Sequence, residues 1–157
     1  MIVSFDLDDT LFVDPNTSKV EKAIRFPFNY FYKEKLRNGT LDLLSKIQLL
    51  DIKIWIYTTS FRSIKYIKSY FNHCGIKISG VINGERHSKE VQGSRKEPLP
   101  SKYPSKYRID LHVDDDITVY ENGKIYGFKV FLLKNNDLNW HYKLWEEIIK
   151  IKSRLKS

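Results

Sequence analysis

Three apolar stretches of this chain each end in a cluster of polar side chains. They read VSFDLDD from residue 3, IWIYTTS from residue 54 and LHVDDD from residue 111. β-Branched and aromatic residues dominate each stretch, which predicts buried strands. Segments with helical spacing lie between them, so the pattern favours parallel strands joined by helical crossovers. Since parallel strands end at a common edge, we expect the three polar tips to face one crevice.

Two amphipathic segments and a short strand are predicted between the first and third tips. One helix begins at Thr40, a predicted N-cap, and a second covers residues 63–73 with Gly75 as its stop. A short strand is predicted within residues 78–84. Residues 85–106 are polar and rich in proline, and we expect no helix in them.

The last third of the chain predicts a fourth strand, a turn at Asn122-Gly123, a fifth strand over residues 127–133 and a helix over 138–156. The apolar side of that helix is predicted to carry Leu138, Tyr142, Trp145, Ile148 or Ile149, and Leu155. Its outer face is basic and could meet nucleic acid or a membrane surface, but the apolar side favours packing against the sheet.

These elements predict one α/β domain over residues 1–157, a three-layer Rossmann-like sandwich around a mostly parallel five-stranded sheet. Residues 12–38 mix proline, asparagine and aromatic side chains without periodicity, which predicts a small flap after the first strand. A chain of this length with 41% hydrophobic residues can build a core without disulfides, and the lone Cys74 lacks the paired spacing of a zinc site. With no apolar run of about 18 residues, we expect a soluble, cytoplasmic protein without membrane contact.

The first polar tip has the chemistry of a cation site. Residues two apart on a strand point to the same side, so Asp6 and Asp8 are expected to project together. Carboxylates held that close repel each other and require a cation. Mg²⁺ fits best because it prefers hard oxygen ligands and is usually held by one or two carboxylates, water and phosphate. Asp114 and Asp115 would add acidic oxygens from the fourth strand.

A carboxylate in such a site can act as a nucleophile toward phosphorus. Its repulsion from phosphate falls once a metal ion is bound, so an aspartyl-phosphate can form while a second carboxylate transfers protons. The hydroxyl of Thr58 and a lysine ammonium would bind the oxygens of the transferring group. The pattern therefore predicts a phosphoryl-transfer centre.

The three tips together resemble the motifs of the haloacid dehalogenase-like (HAD) superfamily. Residues 6–10, DLDDT, match its DxDx[TV] box, IWIYTTS resembles its second motif, and LHVDDD resembles its acidic fourth motif. The three occur in the family's order over residues 2–116. By that resemblance Asp6 is the nucleophile and a metal ligand, Asp8 the general acid/base, and Thr58 the phosphate-binding hydroxyl.

The resemblance also implies a metal-binding acid and a lysine that pairs with the nucleophile. Asp115 aligns best with the acid, and Asp114 lies beside it. Four lysines precede the fourth strand and are candidates for the lysine: Lys89, Lys96, Lys102 and Lys106. Lys102 is our choice, although three prolines in KEPLPSKYPSKY argue against the helix that this lysine opens in many family members.

Substrate selection is less constrained by the sequence. Thr59, Arg62 and Lys106 are candidate substrate contacts, with helix capping open for Thr59 and an ion pair open for Arg62. The gap after the first motif holds too few residues for a folded cap domain, so the chain resembles the family's small capless phosphatases. The net charge of +8 and the aromatic flap make a nucleic-acid phosphate one candidate among phosphorylated substrates.

Two other classes of protein share features of this sequence with a phosphatase. A receiver domain also uses an acidic pocket, but its phosphoacceptor follows the third strand, which does not match this order of tips. A non-catalytic phosphate- or nucleic-acid-binding module on a HAD scaffold stays open, because the lysine is uncertain and the surface is basic.

Overall fold

The computed structural model describes residues 1–22, 24–25, 27–93 and 99–155. Five strands form one sheet in the order β3-β2-β1-β4-β5, and every neighbouring pair is parallel. The strands are β1 (Ile2–Phe5), β2 (Lys53–Tyr57), β3 (Gly80–Ile82), β4 (Leu111–Asp114) and β5 (Val130–Leu132). The predicted α/β class and mostly parallel five-stranded sheet are confirmed.

Strand β1 is the centre of the sheet because its side chains suit burial on both faces. Val3 and Phe5 are fully buried, as is Ser4, whose hydroxyl is bonded to another buried side chain described below. Phe5 lies opposite Ile56 of β2 and Val113 of β4. The carboxyl ends of these three strands therefore lie at one edge, with the polar tip of each just beyond it.

Helices cover both faces of the sheet. They are α1 (Thr40–Leu49), α2 (Ile64–His73), α3 (Gly84–His87), α4 (Ile117–Tyr126) and α5 (Trp140–Arg154). Ser63 caps α2 by accepting a hydrogen bond from the Tyr66 amide. The predicted cap at Thr40 is wrong, since Gly39 is the N-cap of α1 and Thr40 is its first helical residue. A left-handed φ of 87° at Gly39 makes the turn into this helix.

The predicted turn at Asn122-Gly123 is also wrong, because both residues lie inside α4. Asp116 starts the helix by accepting a hydrogen bond from the Thr118 amide, and Gly127 ends it in a left-handed conformation. A Cβ on Gly123 would lie 2.6 Å from the Phe128 carbonyl oxygen. The glycine thus permits close packing of the helix against the following segment, which is a different use from a hairpin turn.

The expectation of no helix in residues 85–106 is wrong as well. Asn83 caps α3 by accepting from the Arg86 amide, and one π-type turn, Ser88–Gln92, continues it. A 3₁₀ turn, Pro104–Tyr107, starts at a proline. Proline is compatible with a first helical position, where its missing N–H leaves no bond unmade.

The C-terminal helix exists, and the prediction of its buried side holds at Ile148, which is buried, and at Trp145, which is partly buried against the core. It is wrong at Leu138, Tyr142 and Leu155, which are exposed. The buried residues are Trp140, Leu144, Ile148 and Ile151, and α5 packs against α1. Tyr142 is 58% exposed, and Leu138 precedes the helix. Residues 156–157 lie outside the described residues. Within the described part of the chain, no helix has both the length and the apolar character needed to cross a membrane.

Residues 12–38, called the flap segment below, leave the sheet after β1 and return before α1. Their two ends run antiparallel: the Val13 amide donates to the Lys35 carbonyl, and the Arg37 amide donates to the Leu11 carbonyl. One 3₁₀ turn, Phe28–Tyr30, lies between them. Tyr32 packs on the α2 residues Tyr66 and Tyr70 with ring centroids 5.7 and 5.3 Å apart, so the returning arm lies along that helix.

Candidate functional site

Lys102 joins the first and third polar tips in the interior of the protein. Its side chain is only 4% exposed, and its Nζ lies 2.9 Å from Oδ1 of Asp6 and 2.6 Å from Oδ2 of Asp114. Asp6 directly follows β1, and Asp114 is the last residue of β4. The lysine therefore forms a buried ion pair with both carboxylates, which offsets part of the cost of removing these charges from water.

Asp114 is oriented by two further hydrogen bonds. Nε2 of the fully buried His112 lies 2.9 Å from the same Oδ2 that contacts Lys102, and the Asp116 amide donates to the other oxygen at 3.0 Å. Nδ1 of His112 lies 2.8 Å from the Ser4 hydroxyl on the neighbouring strand. The carboxylate of Asp114 is thus held from several sides, with a histidine and a serine supporting it from within the sheet.

Asp115 completes a group of three carboxylates. Its Oδ1 accepts a hydrogen bond from the Thr10 hydroxyl at 2.7 Å. Asp6, Asp114 and Asp115 each offer an oxygen, and these oxygens lie within 4.8 Å of one another. Three carboxylates and one ammonium sum to two negative charges, which a divalent cation would neutralise. Hard oxygen donors in this number suit Mg²⁺.

Burial and charge shift the ionisation of this group in different directions. Burial raises the pKa of Asp6, and the nearby Lys102 offsets only part of that effect. Burial also opposes ionisation of Asp114, but the hydrogen bond from His112 and the charge of Lys102 lower its pKa overall. The two negative charges in turn keep the pKa of Lys102 above the ordinary lysine value despite burial, so the lysine is a cation.

Asp8, which was also predicted as a metal ligand, lies outside this group of carboxylates, at the exposed rim of the crevice. Its Oδ2 lies 2.8 Å from Nη1 of Arg62, and Nε of the same arginine lies 3.2 Å from Oε1 of Glu34 in the flap segment. The Tyr66 hydroxyl donates to the other oxygen of Glu34. Arg62 therefore connects the first polar tip to the flap segment and α2.

The backbone after β1 is fixed by another arginine. Asp9 has a left-handed φ of 59°, which is costly for a residue with a Cβ. The buried Arg37 donates from Nε to the Thr10 carbonyl at 2.8 Å and from Nη2 to the Asp9 carbonyl. It also donates to the side chain of Asn135 at 2.7 Å. These bonds hold the turn that presents Asp6 and Asp8 to the crevice.

An open crevice of about 620 Å³ contains most of the predicted site residues. Its walls include Asp6, Asp8, Thr59, Lys102, Asp114 and Asp115. Thr58 is buried at the end of β2, where its hydroxyl accepts from the Ser60 amide at 3.1 Å. Arg62 reaches this crevice through its contact with Asp8.

The alternative lysines occupy other places. Lys106 is exposed, donates to the Glu90 carbonyl and lines a separate cavity with Val91 and Tyr103. Lys89 is exposed on the π-type turn. Lys96 lies outside the described residues. The structure thus brings Lys102 to the two carboxylates, while the functional roles of all these residues stay predictions.

The supporting residues Ser4, Glu34, Arg37 and His112 were not among the predicted site residues. A signal existed for His112, because it lies two residues before Asp114 on a strand and so points to the same side. Ser4 carries a similar signal, since a serine within a buried apolar strand needs a partner. Glu34 and Arg37 lie in an aperiodic segment, where no local pattern predicts a partner.

Comparisons with known proteins identify the fold. No protein-family model matches the chain, and no curated protein matches it in sequence. Solved structures do match: a hydrolase from Streptococcus pneumoniae TIGR4 aligns with a TM-score of 0.57 at 16% identity, covering 94% of this chain and 97% of that one. The chain therefore shares the fold of this hydrolase.

Two further structures support the same conclusion. The HAD domain of the effector protein Lem4 from Legionella pneumophila, in an inactive mutant, aligns with a TM-score of 0.55 at 18% identity over 99% of this chain and 96% of that one. D,D-heptose 1,7-bisphosphate phosphatase from B. bronchiseptica, complexed with magnesium and phosphate, aligns with a TM-score of 0.53 at 13% identity over 83% of this chain and 79% of that one. At these identities the similarity is one of fold, and the chain has a HAD-like fold.

Proposed function

We propose that this protein is a Mg²⁺-dependent phosphohydrolase that cleaves a phosphomonoester through an aspartyl-phosphate on Asp6. The observation that carries the proposal is the buried contact of Asp6 with Lys102 at 2.9 Å, beside the carboxylates of Asp114 and Asp115. A nucleophile, a cation and an acidic metal-binding group thus meet at one strand edge. Structures with the same fold include a hydrolase and a phosphatase complexed with magnesium and phosphate, which supports this chemistry.

The residues that would hold Mg²⁺ are Asp6, Asp114 and Asp115. Their oxygens lie within 4.8 Å of one another and carry two negative charges in excess of Lys102. A bound Mg²⁺ would supply the positive charge that lets a carboxylate approach a phosphate dianion.

The remaining steps use the chain's own side chains. An oxygen of Asp6 attacks phosphorus, a new O–P bond forms, and the bond between phosphorus and the leaving oxygen breaks. Lys102 stabilises the negative charge on the transferring oxygens. Asp8 donates a proton to the leaving oxygen and then accepts one from the water that hydrolyses the aspartyl-phosphate. Because Asp8 pairs with Arg62 in this structure, it must leave that ion pair to act.

For the substrate, we propose a phosphate carried by a nucleic-acid end. The chain has a net charge of +8, which favours polyanions. Phe61 is 75% exposed just beyond Thr59 and Ser60, and Tyr30 and Phe31 of the flap segment are also largely exposed. Thr59 lines the crevice, and exposed aromatic rings can stack on unpaired bases.

The nucleophile is tested by measuring p-nitrophenyl phosphate hydrolysis with Mg²⁺ and with excess EDTA. We expect Mg²⁺-dependent release from the wild type and at least about a 10³-fold lower kcat for Asp6→Asn, as for other removed nucleophiles. Asp42→Asn, which changes an exposed carboxylate paired with Lys46, is the matched control and should retain activity. Activity retained by Asp6→Asn would exclude the proposed nucleophile.

The substrate class is tested separately, with an oligonucleotide 3′- or 5′-phosphate against glycerol phosphate. We expect kcat/KM for the oligonucleotide to fall with added salt and to fall further in Phe61→Ser, with little change for glycerol phosphate. Leu49→Ser, at an exposed position on α1, controls for a general loss of surface apolar area. Equal effects on both substrates would contradict the nucleic-acid proposal.

A second candidate function is a non-catalytic phosphate- or nucleic-acid-binding module. The pairing of Asp8 with Arg62 favours it, because a carboxylate held in an ion pair does not transfer protons. This candidate predicts binding of phosphorylated ligands without turnover of any of them. Turnover that depends on Asp6 would exclude it.

A further inference from the structure

Lys102 lies within contact distance of two carboxylates although it is not part of a helix or strand. The described residues just before it, 99–101, belong to neither kind of element, and the 3₁₀ turn begins only at Pro104. Its Nζ nevertheless lies within 2.9 Å of two buried carboxylates. A long side chain loses much conformational freedom in such a position. Contacts outside its own segment must therefore hold the backbone at this point.

The hydroxyl of Tyr57 provides such a contact. Tyr57 is the last residue of β2 and is fully buried. Its hydroxyl accepts a hydrogen bond from the amide of Tyr103, the residue after Lys102, at 2.8 Å. A rigid strand thus fixes the backbone one residue away from the lysine.

His87 orients that hydroxyl. Nδ1 of His87 lies 2.6 Å from the Tyr57 oxygen. Burial, together with the charges of Lys106 and Lys102, lowers the pKa of His87, which favours a neutral ring. Burial raises the pKa of Tyr57, so its hydroxyl keeps its proton. The hydroxyl can therefore donate its proton to Nδ1 of His87 while its oxygen accepts a hydrogen bond from the Tyr103 amide. It thus acts as both a donor and an acceptor.

Tyr57 also contacts His112, the residue that orients Asp114. Its ring centroid lies 5.8 Å from that of His112, whose Nε2 is bonded to Asp114. Tyr57 therefore contacts both the segment that carries Lys102 and His112, which orients one of the two carboxylates paired with the lysine.

We propose that Tyr57, with its hydroxyl oriented by His87, is a positioning residue that holds Lys102 against Asp6 and Asp114 for the reaction. This inference rests on the proposed function for its catalytic meaning, but the placement of Lys102 can be tested without any activity. Neither Tyr57 nor His87 contacts the carboxylates directly, so both act through other residues.

The placement is tested by brief acetylation with acetic anhydride and mass spectrometry of the peptide that contains Lys102. The wild-type ε-amine should be protected. Tyr57→Phe should raise its acetylation rate roughly threefold to tenfold, the range expected when one hydrogen bond is lost. Tyr70→Phe is the matched control, because it removes a buried tyrosine hydroxyl that donates to the Glu34 carbonyl at 3.1 Å. An unchanged rate in a folded Tyr57→Phe would overturn the inference.

His87 variants keep the test falsifiable if Tyr57→Phe fails to fold. His87→Ala removes the acceptor of the hydroxyl and should raise Lys102 acetylation, whereas His87→Asn, with an oxygen near the position of Nδ1, should restore protection. Equal protection of Lys102 in the wild type and both variants would overturn the role of His87. A Tm measured for each variant separates local release of the lysine from general unfolding.

Activity assays with Mg²⁺ then separate positioning from structural support. Tyr57→Phe should lower kcat roughly threefold to tenfold for a small phosphomonoester in the wild-type background and have little further effect in Lys102→Met. Additive losses would indicate a purely structural tyrosine and contradict the inference. If the wild type hydrolyses nothing while Tyr57→Phe exposes Lys102, the proposed function fails and the placement stands.

Discussion

Asp6 and Asp8 are two residues apart in the sequence, yet they occupy opposite kinds of environment. Asp6 is buried, in contact with Lys102, and close to Asp114 and Asp115. Asp8 has a side chain that is 49% exposed and paired with Arg62 at the rim. The alternation of a strand would place both carboxylates on one side, but the chain leaves β1 at Phe5 and turns through Asp9.

The difference separates two kinds of electrostatic interaction. In the buried group of Asp6, Lys102 and Asp114, each charge has lost most of its hydration and depends on its partners, so removing one partner leaves the others uncompensated. At the rim, water screens both carboxylates and the guanidinium, so the ion pair contributes little to stability and can exchange partners. The buried group suits a fixed reaction centre, and the rim suits a group that must move.

The largest predicted effect concerns the lysine of the buried group. Lys102→Met should lower the free energy of unfolding, measured by urea denaturation without Mg²⁺, by about 3–5 kcal/mol, because it leaves buried carboxylates unpaired. Lys46→Met removes an exposed lysine paired with Asp42 and should cost less than about 0.5 kcal/mol. Similar losses in the two variants would show that burial of Lys102 has no electrostatic consequence.

A smaller effect is predicted for metal binding. Asp115→Asn should weaken Mg²⁺ binding, followed by isothermal titration or by the Mg²⁺-induced rise in Tm, by about tenfold or more, because a carboxylate ligand loses its charge. Asp8→Asn should change the affinity by less than about twofold, because the three clustered carboxylates do not include it. If Asp8→Asn abolishes binding, Asp8 belongs to the metal site and the contrast between centre and rim fails.

The smallest effect is predicted at the rim itself. Arg62→Gln should change the free energy of unfolding by no more than about 1 kcal/mol, since partly exposed ion pairs contribute little. It should nevertheless make the flap segment more accessible to limited proteolysis, because Arg62 joins Glu34 to Asp8. Arg86→Gln, which breaks an exposed pair with Glu90, is the control and should leave cleavage of the flap segment unchanged.

The sheet and the acidic tips could be predicted because they depend on local patterns. A buried strand between two others must be apolar on both faces, and VSF, IWI and LHV satisfy that requirement except at Ser4 and His112, which bond to each other. The position of the tips at one edge follows from parallel pairing. Burial of Lys102 could not be derived in this way, because the sequence offered four lysines and no pattern that chooses among them.

The errors have a common physical cause, namely tertiary contacts that override a local signal. Asn122-Gly123 has the composition of a hairpin turn, but the close approach of α4 to Phe128 requires a glycine in a helix. Tyr142 and Leu138 are hydrophobic yet exposed, because Trp140, Leu144 and Ile148 already fill the interface of α5. Hydrophobic character alone therefore did not determine which side of the helix was buried.

The bonds of Arg37 have a consequence for synthesis of the chain. The turn beside β1 is tied through this arginine to Asn135, and Ser4 pairs with His112, 108 residues further along. A nascent chain cannot complete this corner until the segment carrying Asn135 has left the ribosome, however quickly single helices form. The acidic crevice therefore forms late in translation, because the first polar tip is synthesised long before the residues that it contacts in the folded protein.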